Sequence, residues 1–343
     1  MPQNKLIMKK IIGLFLSLAL AGSSFAQMSG YSSSQSDGTS LGANETSNAD
    51  GIALGNAVKL RGYIDTVFSH LDNDDNATVN KTDISASADL DVLIDLSPVT
   101  AEVHLNLSDG NASNLLEQAF GRYSFNQDLH LTFGKQLTVL GFEGDEATDL
   151  YAVTTAFDRG ISDRPGRTYV EGVRINYNNG LFGLVFGVHD TYGLHSNAAD
   201  LDDGMAIDLA ASVMFFPGLE AQLGFANENG AGEEDDSQQF NGWIAWNPGD
   251  LTLAFEFDSF SFADNTDASD IMLLANYQFS DFFGATFRYA HMEYESVEAD
   301  RLTLAALFSI TDNFGLNLEY SYCSSDLKAH DGNEFYVEGL ISY

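Results

Sequence analysis

Apolar and polar residues exchange places at every second position along most of this chain, and the pattern continues to its last residue. Over residues 82–96, Ile84, Ala86, Ala88, Leu90, Val92, Ile94 and Leu96 alternate with Asp83, Ser85, Ser87, Asp89, Asp91 and Asp95. A period of two places one set on each face of an extended strand, one greasy and one wet. The same alternation returns at Leu302, Leu304, Ala306, Phe308 and Ile310, and again at Phe314, Leu316, Leu318, Tyr320 and Tyr322. Sixteen segments carry it, near 58–70, 82–96, 99–107, 116–125, 129–135, 168–177, 181–189, 205–216, 219–226, 239–246, 251–258, 270–279, 282–292, 301–310, 314–323 and 335–343.

A soluble sandwich also alternates, so length and turn chemistry carry the distinction. Most of the segments reach the ~9–11 residues that a tilted strand needs to cross a bilayer. Alternate connections are short and built of turn formers: Ser97-Pro98, Asn126-Gln127-Asp128, Asn178-Asn179-Gly180, Pro217-Gly218, Asn247-Pro248-Gly249-Asp250, Ser280-Asp281 and Thr311-Asp312-Asn313. The connections between them, such as 71–81, 190–204, 227–238 and 259–269, are longer and polar. Short turns at one end and long loops at the other are the layout of outer-membrane barrels. Aromatic residues cluster beside both, with Phe125, Tyr177, Phe215, Trp246, Phe279 and Phe308 near the turns and Phe68, Phe133, Phe240 and Tyr289 near the loops, as interfacial girdles require. The expected fold is an all-β, antiparallel up-and-down transmembrane barrel of about sixteen strands over 58–343. Fourteen or eighteen are the alternatives if 116–135 or the preceding residues pair differently. A barrel of this size leaves an aqueous lumen, whereas about eight strands are filled by side chains.

Residues 1–26 read as a secretory signal peptide: Lys5, Lys9 and Lys10 precede an apolar run over 11–21, and Ser24 and Ala26 are the small residues before a cut between Ala26 and Gln27. Residues 27–57, rich in Ser, Gly, Asn and Ala, read as a flexible periplasmic leader. Cleavage takes the formal net charge from −35 to −38, because three Lys leave and no Asp or Glu does. Such a surface repels nucleic acid. Cys323 stands alone, so neither an internal disulfide nor a cysteine metal site is expected. No cofactor and no metal are expected, and the acidic runs at 72–76 and 233–236 read as solvated loop tips.

The final segment sets Phe335, Val337, Gly339, Ile341 and Tyr343 on one face, which resembles the C-terminal signal that the barrel-assembly machinery reads in bacterial outer-membrane proteins. Phe133-Gly134-Lys135, then Gly141-Phe142-Glu143 and Phe157-Asp158-Arg159, is similar to the OmpL-like outer-membrane β-barrel porins, a likeness covering roughly 58–343. It implies passive passage of small hydrophilic solutes or ions without naming one. General porins of sixteen strands also fold their third loop inward and are commonly homotrimers, so the resemblance implies both here.

The third loop, 136–167, is the longest connection. It carries Glu143, Asp145, Glu146, Asp149, Asp158 and Asp163, with Arg159, Arg164 and Arg167 toward its end. Carboxylates facing Arg across a narrow water path create a transverse field that favours one ion sign. Parity puts Lys59, Arg61, Arg122, Arg174, Arg288 and Arg301 on the wet wall, with Asp65, Asp89, Asp91, Glu102, Asp208, Glu220, Glu256, Asp258 and Glu319. That acid excess points to cation preference. Outer-membrane lipid, lipopolysaccharide and the assembly machinery are the expected partners. Two other readings stay open: a structural or adhesive barrel without an open pore, and an outer-membrane hydrolase. The hydrolase needs a nucleophile and a His at the lipid edge or loop rim, whereas His104, His130 and His189 are expected to point inward.

Overall fold

The computed structural model describes residues 51–73, 80–108, 115–144, 146–157, 168–194, 201, 204–229, 236–326 and 331–343. The signal peptide with its Ala26–Gln27 cut, most of the leader, the loop residues Asp145, Asp158, Arg159, Asp163, Arg164 and Arg167, and most of the two acidic loop tips lie outside them.

Each of the sixteen alternating segments forms one strand of a single closed sheet. After a two-residue β1 (Ile52–Ala53) come β2 (Val58–Asn73), β3 (Lys81–Leu96), β4 (Val99–Ser108), β5 (Leu116–Ser124), β6 (Leu129–Leu137), β7 (Tyr169–Asn178), β8 (Phe182–His189) and β9 (Ala206–Phe216). The second half comprises β10 (Leu219–Glu228), β11 (Ser237–Trp246), β12 (Leu251–Ser261), β13 (Asp267–Ser280), β14 (Phe283–Tyr294), β15 (Val297–Thr311), β16 (Phe314–Ser325) and β17 (Gly332–Ser342). Every strand from β2 to β17 pairs antiparallel with its sequence neighbours, and β17 closes on β2. The seam ends in a reciprocal pair of 3.0 Å hydrogen bonds between Gly62 and Tyr343, so the last residue completes the ladder. Closure matters because an open edge has no partner for its backbone groups in hydrocarbon.

Two expectations about connections are corrected. At the long-loop end the strands run beyond their expected limits. β12 and β13 are joined by residues 262–266, and β14 and β15 by Glu295 and Ser296 alone, so that end carries tight turns as well as loops. Likewise the leader is not wholly irregular to residue 57: β1 folds back so that Ile52 and Ala53 pair with Leu60 and Lys59.

The greasy faces point outward. Leu184, Leu209, Leu223, Leu302, Leu304, Tyr320 and Phe335 are exposed around the barrel, Leu223 to 60% and Leu304 to 51%. Soluble monomers rarely expose apolar patches beyond a few hundred Å², and an apolar exterior continuing round a closed barrel is matched by hydrocarbon. At the short-turn end the rings touch one another. Phe279 stacks on Phe283 at 5.3 Å between centroids and Phe283 on Phe308 at 5.2 Å, forming part of an aromatic girdle. Among the described residues no helix is long and apolar enough to cross a membrane, which leaves crossing to the strands.

The buried apolar residues lie inside the barrel, where the third loop meets the wall. Val139 and Leu140 pack with Val170, Val185, Tyr192, Leu194 and Phe260. Phe142, Tyr151 and Ala156 pack with Trp243, Ala254, Met272, Leu274 and Ala290. Such packing needs an inner wall that is apolar where the loop rests, and β13 supplies one in Ile271-Met272-Leu273-Leu274-Ala275. A strand covered on both faces loses its alternation in this way.

Candidate functional site

The third loop enters the lumen and is held there by inward side chains of the wall. Beyond Thr138 its described backbone leaves the sheet, and buried N–H and C=O groups must be satisfied somewhere. Arg174 Nη1 donates to Leu137 O at 3.1 Å and Gln222 Nε2 to Val139 O at 3.0 Å. Gly141 N donates to Asn241 Oδ1 at 3.3 Å and Phe142 N to Glu256 Oε1 at 2.9 Å. Farther along, Thr286 Oγ1 donates to Tyr151 O, Thr154 N to Glu319 Oε2 at 2.9 Å, and Arg301 Nη1 to Thr155 O at 3.2 Å. Phe142 stacks near-parallel on Tyr151 at 6.0 Å and meets Trp243 edge-on at 5.6 Å. Each large apolar side chain buried this way contributes about 1.5–3 kcal/mol.

At the centre of this docking are Arg288 and Glu143. Arg288 Nη1 lies 2.7 Å from Glu143 Oε1 and 2.6 Å from Thr154 O, and its Nη2 donates to Thr154 Oγ1 at 3.0 Å. The other Glu143 oxygen accepts from Ala156 N at 2.6 Å, cross-linking the two limbs of the loop. Arg301 sits 2.6 Å from Glu334 and 3.6 Å from Glu319. The expectation that Arg288 and Arg301 face the loop across a water path is therefore corrected: both lie against the loop and hold it. Glu143 likewise faces a guanidinium at contact distance and is only 7% exposed. Arg174 belongs to the same docked side, 3.2 Å from Asp208. It reaches over Gly187, which pairs with both residues in the strand register, and a Cβ there would stand 2.1 Å from Asp208 Oδ1.

The other side of the lumen has a different character. Arg61, Asp91, His104 and Gln118 follow one another in register across β2, β3, β4 and β5. Arg61 Nε donates to Asp91 Oδ2 at 2.6 Å, while His104 lies 2.9 Å from Asp91 and 3.1 Å from Glu102. The 3-10 turn Ala147–Asp149 brings Glu146 and Asp149 toward this wall, where the Tyr63 hydroxyl donates to Glu146 and Arg61 feels the charge of Asp149. Inward residues under the loop are mostly buried, whereas Asp65, Val67, Ser69, Ser85, Ser87 and Asn106 of β2–β4 keep access to solvent. Lys59, Arg61 and Glu220 are partly accessible, and Arg122 is buried with its guanidinium 5.8 Å from the centre of the Phe120 ring.

Asp258 accepts from Gln239 and Asn241 at 2.9 and 3.0 Å. His104, His130 and His189 all point inward and are buried, as parity requires. Several inward acids are absent from the parity reading above. Glu334 and Glu338 alternate with the very residues read as the assembly signal, so their parity was visible. Glu228 accepts from Thr191 Oγ1, Tyr192 N and Leu194 N at 2.7–3.0 Å and anchors a second loop segment, which no local pattern announces.

No protein-family profile matches the chain, and no curated protein is similar to it in sequence. Solved structures do match its fold. The anion-selective porin from Comamonas acidovorans is 17% identical at a TM-score of 0.64, over 84% of this chain and 99% of that one. Salmonella typhi OmpF, in a complex with daunomycin, is 11% identical at 0.64, over 84% and 98%. The outer-membrane channel DcaP of Acinetobacter baumannii is 12% identical at 0.62, over 86% and 100%. What these likenesses share with the chain is the fold: it is a closed sixteen-stranded antiparallel barrel of the kind built by outer-membrane porins and channels.

Proposed function

We propose that this chain is a bacterial outer-membrane porin through which small hydrophilic solutes or ions diffuse passively, with a preference for cations. The observation that carries the reading is the third loop anchored to the wall inside the lumen, while the inward Asp65, Ser69, Ser85, Ser87 and Asn106 of β2–β4 stay accessible. A loop that merely covered the outside would have no use for Arg288, Glu256 and Glu319 as inward anchors. The path then runs along β2–β4, and Glu146 and Asp149 are the loop's contribution to its narrowest part. Asp65 is partly accessible there and the buried Asp89, Asp91 and Glu102 add their field, so acids outnumber the bases Lys59 and Arg61 on that wall, which favours cations.

The resemblance to OmpL-like porins rests on short motifs, and in one of them a structural task is evident. Gly134 holds φ of 122°, and a Cβ there would approach Ala119 O to 2.3 Å. Within the proposal, residues 1–26 are the removed signal peptide, Phe335, Val337, Gly339, Ile341 and Tyr343 are read by the assembly machinery, and lipopolysaccharide meets the outer rim. A homotrimer is part of the same proposal. No catalytic role enters it. A hydrolase reading would start from the outward-facing His291, whose Nδ1 lies 2.9 Å from Asp300 Oδ1, and hydrolysis of phospholipid by the pure protein would favour it.

The pore is tested in planar bilayers. Stepwise conductance in salt with a reversal potential of cation sign is expected across a gradient. Absence of conductance, together with no swelling of sugar-loaded liposomes, would leave a closed structural barrel. An anion-sign potential would remove the cation preference alone.

A further inference from the structure

Asp89 on β3, Glu117 on β5 and Glu146 on the third loop each bring a carboxylate oxygen within 4.8 Å of the others. We infer that these three residues bind a divalent cation of the calcium class inside the lumen, and that the ion fastens the loop to the β3–β5 wall. The spacing suits such an ion: calcium takes oxygen ligands at about 2.3–2.6 Å, so two of its ligands stand at most about 5 Å apart, and water completes the shell. All-carboxylate donors also exclude the softer metals that prefer Cys or His.

A second observation points independently to a ligand. Asp89 is only 1% exposed, and its Oδ2 is buried with no hydrogen-bond partner. The charged groups facing Asp89 are Glu146, Asp91 and Glu117, all acidic. The bases beside Asp91, Arg61 and His104, are engaged with it at 2.6 and 2.9 Å, and the Tyr63 hydroxyl supplies Glu146 with a neutral donor. Several desolvated carboxylates cannot remain charged together without a counter-charge. Guanidinium groups anchor the loop on its Arg288 and Arg301 side, and at Glu146 it comes within 4.8 Å of two wall carboxylates, where a cation shared by all three would add a further attachment. The site needs only the loop and wall as they are placed, and it stands whether or not the lumen conducts.

Terbium tests this directly, because it occupies calcium sites and emits when a nearby tyrosine is excited. The full-length mature protein, folded in detergent and stripped with EDTA, is titrated with TbCl3 and then with CaCl2. Expected are saturable emission displaced by calcium, affinity reduced tenfold or more in Asp89→Asn and in Glu146→Gln, and emission weakened in Tyr63→Phe. Glu146→Gln sits on the loop and leaves the barrel wall intact, so it remains informative if Asp89→Asn does not fold. A parallel variant with Glu233, Glu234 and Asp235 changed to amides removes an acidic loop run; its titration should match the parent. Titrations unaltered in Glu146→Gln, or abolished only by the amide variant, would overturn the site, as would no response to millimolar calcium. Terbium binding in a barrel that passes no current would sink the porin reading and keep the site.

Discussion

Arg288 is the side chain on which most of the loop docking converges. It is 1% exposed, and its guanidinium binds Glu143 and both oxygens of Thr154, which in turn bonds Glu319. Burying such a pair yields little net stability, because desolvation offsets the attraction, but removing one partner strands the other and costs about 3–5 kcal/mol. Arg288→Met should therefore loosen the loop more than it harms the barrel, whose ladder does not use this side chain. Noisier and larger single-channel currents are expected, with protease cleavage appearing between residues 143 and 157 in the folded protein. An unchanged current trace with an intact loop would show that the docking does not depend on this guanidinium. Gly187 makes a second case, since any side chain there meets Asp208 and His189. Gly187→Val should break the Arg174–Asp208 contact and lower the folded yield in detergent refolding, whereas Gly315→Ala, where an added Cβ makes only ordinary contacts at 3.8 Å or more, should not.

At the scale of elements, the third loop is what separates this barrel from a plain channel. Deleting residues 143–164 removes Phe142's partner Tyr151, the Glu143 cross-link and the Thr154 and Thr155 contacts together. Conductance should rise severalfold and cation preference should fall, because Glu146 and Asp149 leave the path; an unaltered conductance would mean that the loop does not narrow it. The strands themselves were legible in the sequence because each alternates on its own, and a period of two needs no knowledge of its neighbours. The register was not legible from the turns alone: after Pro217-Gly218, Leu219 pairs with Phe216, but a bulge then shifts Glu220 onto Met214. Where the loop lies was legible only in part. The apolar run 271–275 says that β13 is covered inside as well as outside, yet nothing local says by what. The pairing of Glu143 with Arg288 spans 145 residues: loop position assigned the one to the lumen and parity the other, and neither could tell opposition from contact. Tight turns such as Glu295-Ser296 were hidden because polar residues near a strand end, such as Glu293 and Glu298, look like loop although they continue the ladder.

For the whole molecule, the decisive question is what touches the outer face, and adjacent residues of one strand can answer it. Leu304 lies in the middle of the fifteen-residue β15 with its side chain outward and 51% exposed, while Ala305 beside it points inward at 6%. On a water-soluble sheet, replacing an exposed Leu by Arg is close to neutral, since the side chain was already in solvent. On a face that meets hydrocarbon, the same change near the bilayer midplane costs about 2–4 kcal/mol, falling toward zero at the interfaces. Leu304→Arg should thus lower the unfolding free energy measured by guanidinium titration in lipid vesicles by that amount. Ile310→Arg, near the short-turn end of the same strand and 43% exposed, should lower it by about 1 kcal/mol or less. The gradient between the two positions is the signature of a bilayer, because water offers no midplane. Equal and negligible costs at both would mean that the apolar exterior faces something other than lipid, and the transport proposal would lose its membrane.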